Sequence, residues 1–374
     1  MKRTNLHAFT FCILLMATVT SSIARVMGSA TNEAAENATN EPEAQNTTEQ
    51  ADAADKIPFS FDDVASNLVI ITCQSPYGDT AGSGFIAKMD GKTYIFTNQH
   101  VIMGTTHIDF VTVKGEKLRP TGVELSLKRD IVRLPIADRT NALEVGGNAG
   151  MGTPLAVFGN SEGAGVATEL YGKVTGVGAD RLEVSAEFVP GNSGSPVIDK
   201  DKKVIGIASY VLSSHTTWMN ENTRFENKAR RFCYRLTDTR WIPVNWRNYN
   251  ETYGNTYREN EALVDALFNV INGMYDKPFA SVSANCSDNE LKKWCDEHNR
   301  VIGRRGDQLR RDIGNCAEAL SGYCQRRAHS LEDKLDKRDL TAFLREEFEG
   351  FVYAYESASD AIAYFGTKLP SISH

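Results

Sequence analysis

The residues with the clearest chemical potential are Pro190-Gly191-Asn192-Ser193-Gly194-Ser195-Pro196. A serine nucleophile needs an exposed Oγ and nearby backbone N–H groups free to hold a developing oxyanion. Glycine two before and one after Ser193 permits such a turn, because glycine tolerates the backbone angles and the close approach required. A second candidate is His100, in Thr97-Asn98-Gln99-His100-Val101, at the end of the apolar run Tyr94-Ile95-Phe96. A strand-end histidine is held firmly enough to take a serine proton and return it to a leaving group. The third is Asp130, preceded by Lys128 and Arg129 and followed by Ile131 and Val132. That setting suits a carboxylate at a domain seam that orients an imidazole and stabilises its cation.

Other polar groups fit plainer roles. Gly159-Asn160-Ser161 repeats the Gly-Asn-Ser order, but Glu162 follows where the turn would need glycine, so it reads as a hairpin loop. Asp109 lies in an alternating strand and is expected to face solvent, and His107 and His215 read as surface residues. The glycine-rich stretch 147–152 lacks the strand–helix setting of a phosphate loop and reads as a turn.

These groups need a frame, and residues 58–212 supply one that is β-rich. Short β-branched runs recur at 67–73, 82–88, 92–102, 107–113, 130–136, 153–159, 172–178, 181–188, 195–199 and 204–211, separated by turn signals such as Asp90-Gly91. Strands at this spacing predict a sandwich or paired barrels. Residues 226–249 are basic and aromatic; Arg230, Arg231, Trp241 and Trp246 could bind an anionic or glycan partner by charge and stacking, but read in preference as an amphipathic packing strap. From about 255 the pattern changes. Residues 260–274, 288–300, 304–328 and 337–363 carry apolar residues at helical spacing, with Ser287-Asp288 as the cap of the second.

The chain of 374 residues is long enough for two domains, and its 41% hydrophobic and 24% charged residues are those of an ordinary globular protein. Lys+Arg 41 against Asp+Glu 48 gives −7, which argues against a nucleic-acid partner held by phosphate neutralisation. Much of the acidity sits in residues 25–55, and the remainder is close to neutral. Lys2 and Arg3 precede an apolar run from Ala8 to Val19, followed by small residues suited to cleavage. The run is too short to span a bilayer and reads as a signal peptide, so the mature chain is expected to be exported, periplasmic or secreted, without stable membrane insertion. Residues 31–56 lack large hydrophobes and read as a disordered acidic linker.

Six cysteines lie beyond that segment: Cys73, Cys233, Cys286, Cys295, Cys316 and Cys324. An even count in an exported chain favours disulfides, two in the helical region and a third between Cys73 and Cys233, unless these two remain buried thiols. A metal site on Cys295-x-x-His298 with Cys316 and Cys324 has irregular spacing for zinc, and no metal or other cofactor is expected.

Taken together, Gly82-Ser83-Gly84-Phe85, Thr97-Asn98-Gln99-His100-Val101, Arg129-Asp130-Ile131 and Gly191-Asn192-Ser193-Gly194-Ser195-Pro196-Val197 resemble the trypsin-like peptidase superfamily. The order His, Asp, Ser is that of the chymotrypsin-type fold, and the bacterial HtrA-like and glutamyl-endopeptidase-like branches are the most similar. The resemblance covers roughly residues 65–212 and implies an all-β double barrel, here followed by a mainly α-helical C-terminal domain. It also implies Ser193 as nucleophile, His100 as general base and acid, and Asp130 as the orienting carboxylate, with Gly191 and Ser193 N–H groups as the oxyanion hole. Peptide bonds of protein or peptide substrates would then be cleaved through an acyl-enzyme. The alternative is a catalytically silent binding or chaperone-like module on the same scaffold.

The primary pocket of that fold would involve Glu187, Phe188 and Ser209, with Glu187 where trypsin-like enzymes place an acid for Arg or Lys, unless its side chain points outward from its strand. Asn192 stands where the trypsin branch has an aspartate that pairs with a newly cut amino terminus; a neutral Asn needs no such partner. No Ile-Val-Gly-Gly-like start is present, and the later chain does not resemble a PDZ module. The expected organisation is a signal peptide at 1–30, a linker at 31–56, a peptidase-like domain at 57–212, a connecting strap at 213–254 and a helical domain at 255–374.

Overall fold

The computed structural model describes residues 57–147, 149–213 and 229–368. The expected signal peptide, acidic linker and His215 lie outside the described residues. Contacts divide the chain into two units, and the β-unit takes in residues up to Asn255 together with Thr341–Phe343.

Two groups of six strands build the β-unit. The first comprises β1 (Leu68–Gln74), β2 (Thr80–Met89), β3 (Lys92–Thr97), β4 (His107–Thr112), β5 (Glu124–Ser126) and β6 (Val132–Pro135), in spatial order β4-β1-β2-β3-β6-β5. The second comprises β8 (Pro154–Gly159), β9 (Thr168–Val177), β10 (Arg181–Val184), β11 (Pro196–Asp199), β12 (Lys203–Ser213) and β13 (Ala229–Tyr234). Its order β11-β8-β9-β10-β13-β12 returns to β11, so the barrel closes. The short β7 (Leu143–Val145) runs parallel to both β2 and β12 and joins the two groups.

Alternation explains why one strand can serve two cores. In β8, Leu155 and Val157 enter the interior of the closed barrel beside Leu182, Val197 and Ala208. Ala156 and Phe158 point the other way, into a core shared with Phe85, Phe96 and Ile198. Because both faces are buried, the strand reads as a continuous apolar run. Phe85 and Phe96, both fully buried, stack at 5.3 Å between centroids.

The segment expected as a strap is part of the sheet. β13 is the sixth strand of the closed barrel, and β14 (Trp241–Pro243) pairs with β5. Its basic residues take up neighbouring acids or ring faces: Arg230 forms two hydrogen bonds to Glu183, at 2.9 and 2.8 Å. Trp241 packs its ring against Phe96.

Three single turns, α1 (Phe61–Val64), α2 (Gln99–Ile102) and α3 (Trp246–Tyr249), belong to the β-unit, and the helical unit holds α4 (Asn255–Asp276, its first residue in the β-unit), α5 (Asn289–Val301), α6 (Gly306–Leu335) and α7 (Ala342–Lys368, its first two residues in the β-unit). Asp288 caps α5 by accepting the Leu291 N–H at 2.7 Å. Asn260 Oδ1 accepts from both Tyr355 and Arg327, which ties α4, α6 and α7 through one buried amide. Among the described residues no helix is long and apolar enough to cross a membrane.

None of the six cysteines forms a disulfide. Cys233 faces the interior of the closed barrel, whereas Cys73 lies on β1 of the other strand group, so the expected Cys73–Cys233 bridge has no path. Burial pushes the Cys295 thiol up to about 11 and Cys324 up to about 12. No group of three His, Cys, Asp or Glu side chains among the described residues is arranged to hold a metal ion.

Candidate active site

His100 lies in a single helical turn, α2 (Gln99–Ile102), directly after β3. Asp130 precedes β6, the antiparallel neighbour of β3, so the two residues meet across adjacent strand ends. His100 Nδ1 approaches Asp130 Oδ2 to 2.5 Å, and the His100 backbone N–H donates to Oδ1 at 3.1 Å. The carboxylate thus fixes both the ring and the turn that carries it. Ser209 Oγ also donates to Asp130 Oδ2, at 3.2 Å, and Asn98 Nδ2 donates to the Asp130 carbonyl at 2.6 Å. With Nδ1–H committed to the carboxylate, the neutral imidazole keeps Nε2 as its basic nitrogen.

Ser193 sits in the turn before β11. Its carbonyl accepts the Ser83 N–H at 2.8 Å, and its Oγ lies 3.4 Å from the Ser209 carbonyl. Two glycines with positive φ shape this turn: Gly191 at +91° and Gly194 at +90°. A Cβ at Gly191 would stand 2.3 Å from Asn160 O, and one at Gly194 would stand 2.0 Å from Ser83 O. Neither position admits a side chain without moving backbone.

The loop after β8 holds the turn from the other side. The Glu162 N–H donates to Pro190 O at 2.7 Å. Because the peptide is trans and planar, the Gly191 N–H then points the opposite way, away from Glu162. Ser83 Oγ donates to Gly191 O and accepts from Asn160 N, both at 2.8 Å. Asn192 is fully buried, and its Oδ1 accepts from Val189 N at 3.0 Å and Ser161 Oγ at 3.1 Å. A neutral amide therefore occupies this position with neutral donors. Gly159-Asn160-Ser161, read from sequence as a bare hairpin loop, is the scaffold of the serine turn.

The three pocket candidates part company. Phe188 is 2% exposed and packs in the closed-barrel core, so its ring is not a pocket wall. Ser209 is buried, and its hydroxyl is turned to Asp130. Glu187 is half-buried and acts on Arg231, whose Nε donates to Phe188 O at 2.8 Å. Burial pulls the Arg231 guanidinium below the ordinary arginine value, and the Glu187 charge opposes that pull. His107 and Asp109 form an exposed pair remote in role from this chemistry.

The family model described as "Trypsin-like peptidase domain" matches residues 82–207, the stretch that carries His100, Asp130 and Ser193. The chain carries a trypsin-like peptidase domain. Over 144 residues it is 30% identical to a "Probable periplasmic serine endoprotease DegP-like" of Chlamydia pneumoniae, covering 35% of this chain and 29% of that protein. Over 155 residues it is 30% identical to a "Serine protease Do-like HtrA" of Lactococcus lactis subsp. cremoris, covering 36% of this chain and 38% of that protein. The peptidase domain thus aligns with well under half the length of these relatives. Among solved structures, a serine endoprotease from Yersinia pestis is 25% identical with a TM-score of 0.36, covering 48% of this chain and 63% of that one.

Sequence reasoning missed several partners of the peptidase domain's site. Asn98 and Gln99 adjoin His100 and could have been flagged as buried polar residues beside a chemical group. Glu162 and Arg231 act through long-range contacts that leave no local signal.

Proposed function

We propose that this chain is a serine endopeptidase whose nucleophile is Ser193. The observation that carries the reading is the close approach of His100 Nδ1 to an Asp130 carboxylate that also receives the His100 N–H and Ser209 Oγ. An imidazole held in one tautomer, with its cation stabilised by a buried carboxylate, is what a serine base requires. His100 Nε2 takes the Ser193 proton as Oγ attacks the scissile carbonyl. The Gly191 and Ser193 N–H groups receive the oxyanion, and the imidazolium then protonates the leaving amine. Water repeats the sequence to release the acyl group, which restores Ser193.

The peptidase domain in this reading runs from 57 to 255 and includes 341–343, because β13 closes the barrel. One relative named above is described as a probable periplasmic protease, and with the basic-then-apolar N-terminus it supports export of this chain. The substrates are proteins or peptides. In the pocket that the resemblance implies, the Arg231 charge acting on Glu187 would weaken the pull of that acid on Lys or Arg before the scissile bond.

Fluorophosphonate labelling of the purified full chain tests the reading, beside Ser193→Ala and a heat-denatured sample. Labelling that requires both the fold and Ser193 supports an activated nucleophile. A folded chain that labels no faster than Ser193→Ala overturns it and favours the binding-module alternative.

A further inference from the structure

We infer that Thr341 is a positioning residue for the His100–Asp130 pair, an inference that rests on the serine-peptidase reading above. Gln99, immediately before His100, is fully buried. Its Nε2 donates to Ser126 O at 3.2 Å and to Arg129 O at 2.7 Å, so it staples the histidine turn to the loop that ends at Asp130. Both amide hydrogens are thereby committed to carbonyls, which leaves Gln99 Oε1 as a buried acceptor. Thr341 Oγ1, itself fully buried, donates to that oxygen at 3.2 Å. The next residue binds the same loop directly, because the Ala342 N–H donates to Leu127 O at 2.9 Å. The Thr341 N–H reaches the Tyr249 hydroxyl at 3.4 Å.

The far end of the histidine turn is held in the same manner. Asn250 Oδ1 accepts the Gly104 N–H at 2.7 Å, and its Nδ2 donates to Thr105 O at 2.9 Å. Residues beyond the 82–207 match thus pin both ends of the turn that carries the base. Loss of the Thr341 donor would leave Gln99 Oε1 buried without it and would favour a flipped or displaced amide. A displaced Gln99 moves the backbone on which His100 and Asp130 depend, and small misplacements of reacting groups are costly in rate.

The test uses full-length protein: wild type, Ser193→Ala, Thr341→Val, Thr341→Ser and Thr341→Ala. The readout is the second-order rate of fluorophosphonate labelling of Ser193 across pH, with melting temperature followed in parallel. Thr341→Val, which keeps the shape and removes the hydroxyl, is expected to slow labelling about tenfold and to move the pH midpoint. Thr341→Ser, which keeps the donor, is expected to restore the wild-type midpoint and most of the rate. A folded Thr341→Val with the wild-type rate, or with the wild-type midpoint and a loss matching only its unfolded fraction, overturns the inference. If Thr341→Val does not fold, Thr341→Ala decides, because it too removes the hydroxyl that donates to Gln99 Oε1. Wild-type labelling by that variant then overturns the inference. Failure of wild type itself to label above Ser193→Ala overturns the peptidase reading, and the positioning role with it.

Discussion

The Glu162 backbone N–H and the Pro190 carbonyl form a 2.7 Å hydrogen bond that fixes the peptide entering the serine turn. Glu162 adopts a φ of +58° to present that N–H, a backbone angle uncommon for a residue with a side chain. The same loop supplies Asn160 O and Gly163 N to the crowded space around Gly191. Gly191→Ala is therefore expected to displace the turn and lower the labelling rate of Ser193 by about a hundredfold, the scale of losing an oxyanion donor. Retention of the wild-type melting temperature within a few degrees would locate the loss in the turn. A labelling rate within threefold of wild type would show that Gly191 N–H has no part in acylation.

Asp130→Asn should leave the backbone in place but present an amide where His100 Nδ1 needs a carboxylate. The imidazole then loses its tautomer and the countercharge for its cation. Turnover of a peptide substrate is expected to fall on the order of 10⁴-fold, chiefly in kcat, with KM little changed. Steady-state kinetics measure both; a loss confined to KM would place Asp130 in substrate binding.

Arg231→Ala removes the cation next to Glu187. With that guanidinium gone, cleavage after Lys or Arg is expected to rise roughly tenfold relative to uncharged residues. Profiling wild type and variant on one peptide library checks this. An unchanged preference would mean that Glu187 does not face the substrate.

His298 governs an acid sensitivity of the helical unit. It is fully buried, and its ring lies against Trp294 at 5.2 Å. Burial holds its pKa below the ordinary histidine value. The unfolded chain takes up that proton near about pH 6.5, whereas the folded unit resists it until lower pH. Between those points the unfolded state binds more protons, so stability is present above the ordinary value and is lost as pH falls. The melting temperature of the helical unit should drop between about pH 7 and 5.5, and His298→Phe should flatten that slope. A slope identical in both proteins would assign the sensitivity to other groups.

How much of this could be read from the sequence follows from the range of each interaction. The Gly191–Ser195 turn and the strand-end His100 carry their chemistry in a few adjacent residues, so type and spacing expose them. The helices were legible because apolar spacing is a local signal, as with Leu263, Leu267 and Ile271 in α4. β5, β7 and β14 span three residues each, too few to show a period. β13 reads Ala-Arg-Arg-Phe-Cys-Tyr, and its arginines disguise a barrel strand because Glu183 and Phe188 O meet them across the sheet. Ser209, Gln99 and Thr341 acquire their roles from partners far along the chain, the last pair 242 residues apart. The even cysteine count misled because Cys233 fills the apolar interior of the closed barrel as a small hydrophobe.

Closure by β13 also bears on how this protein can be dissected. A fragment ending near residue 207, where the family match stops, or near 212, would leave β10 and β12 without the neighbour they share. Each would then offer a row of unpaired N–H and C=O groups, flanked by apolar side chains such as Leu182 and Ile207. Such edges recruit strands from other molecules, and the product expected of that truncation is an aggregate rather than a smaller enzyme.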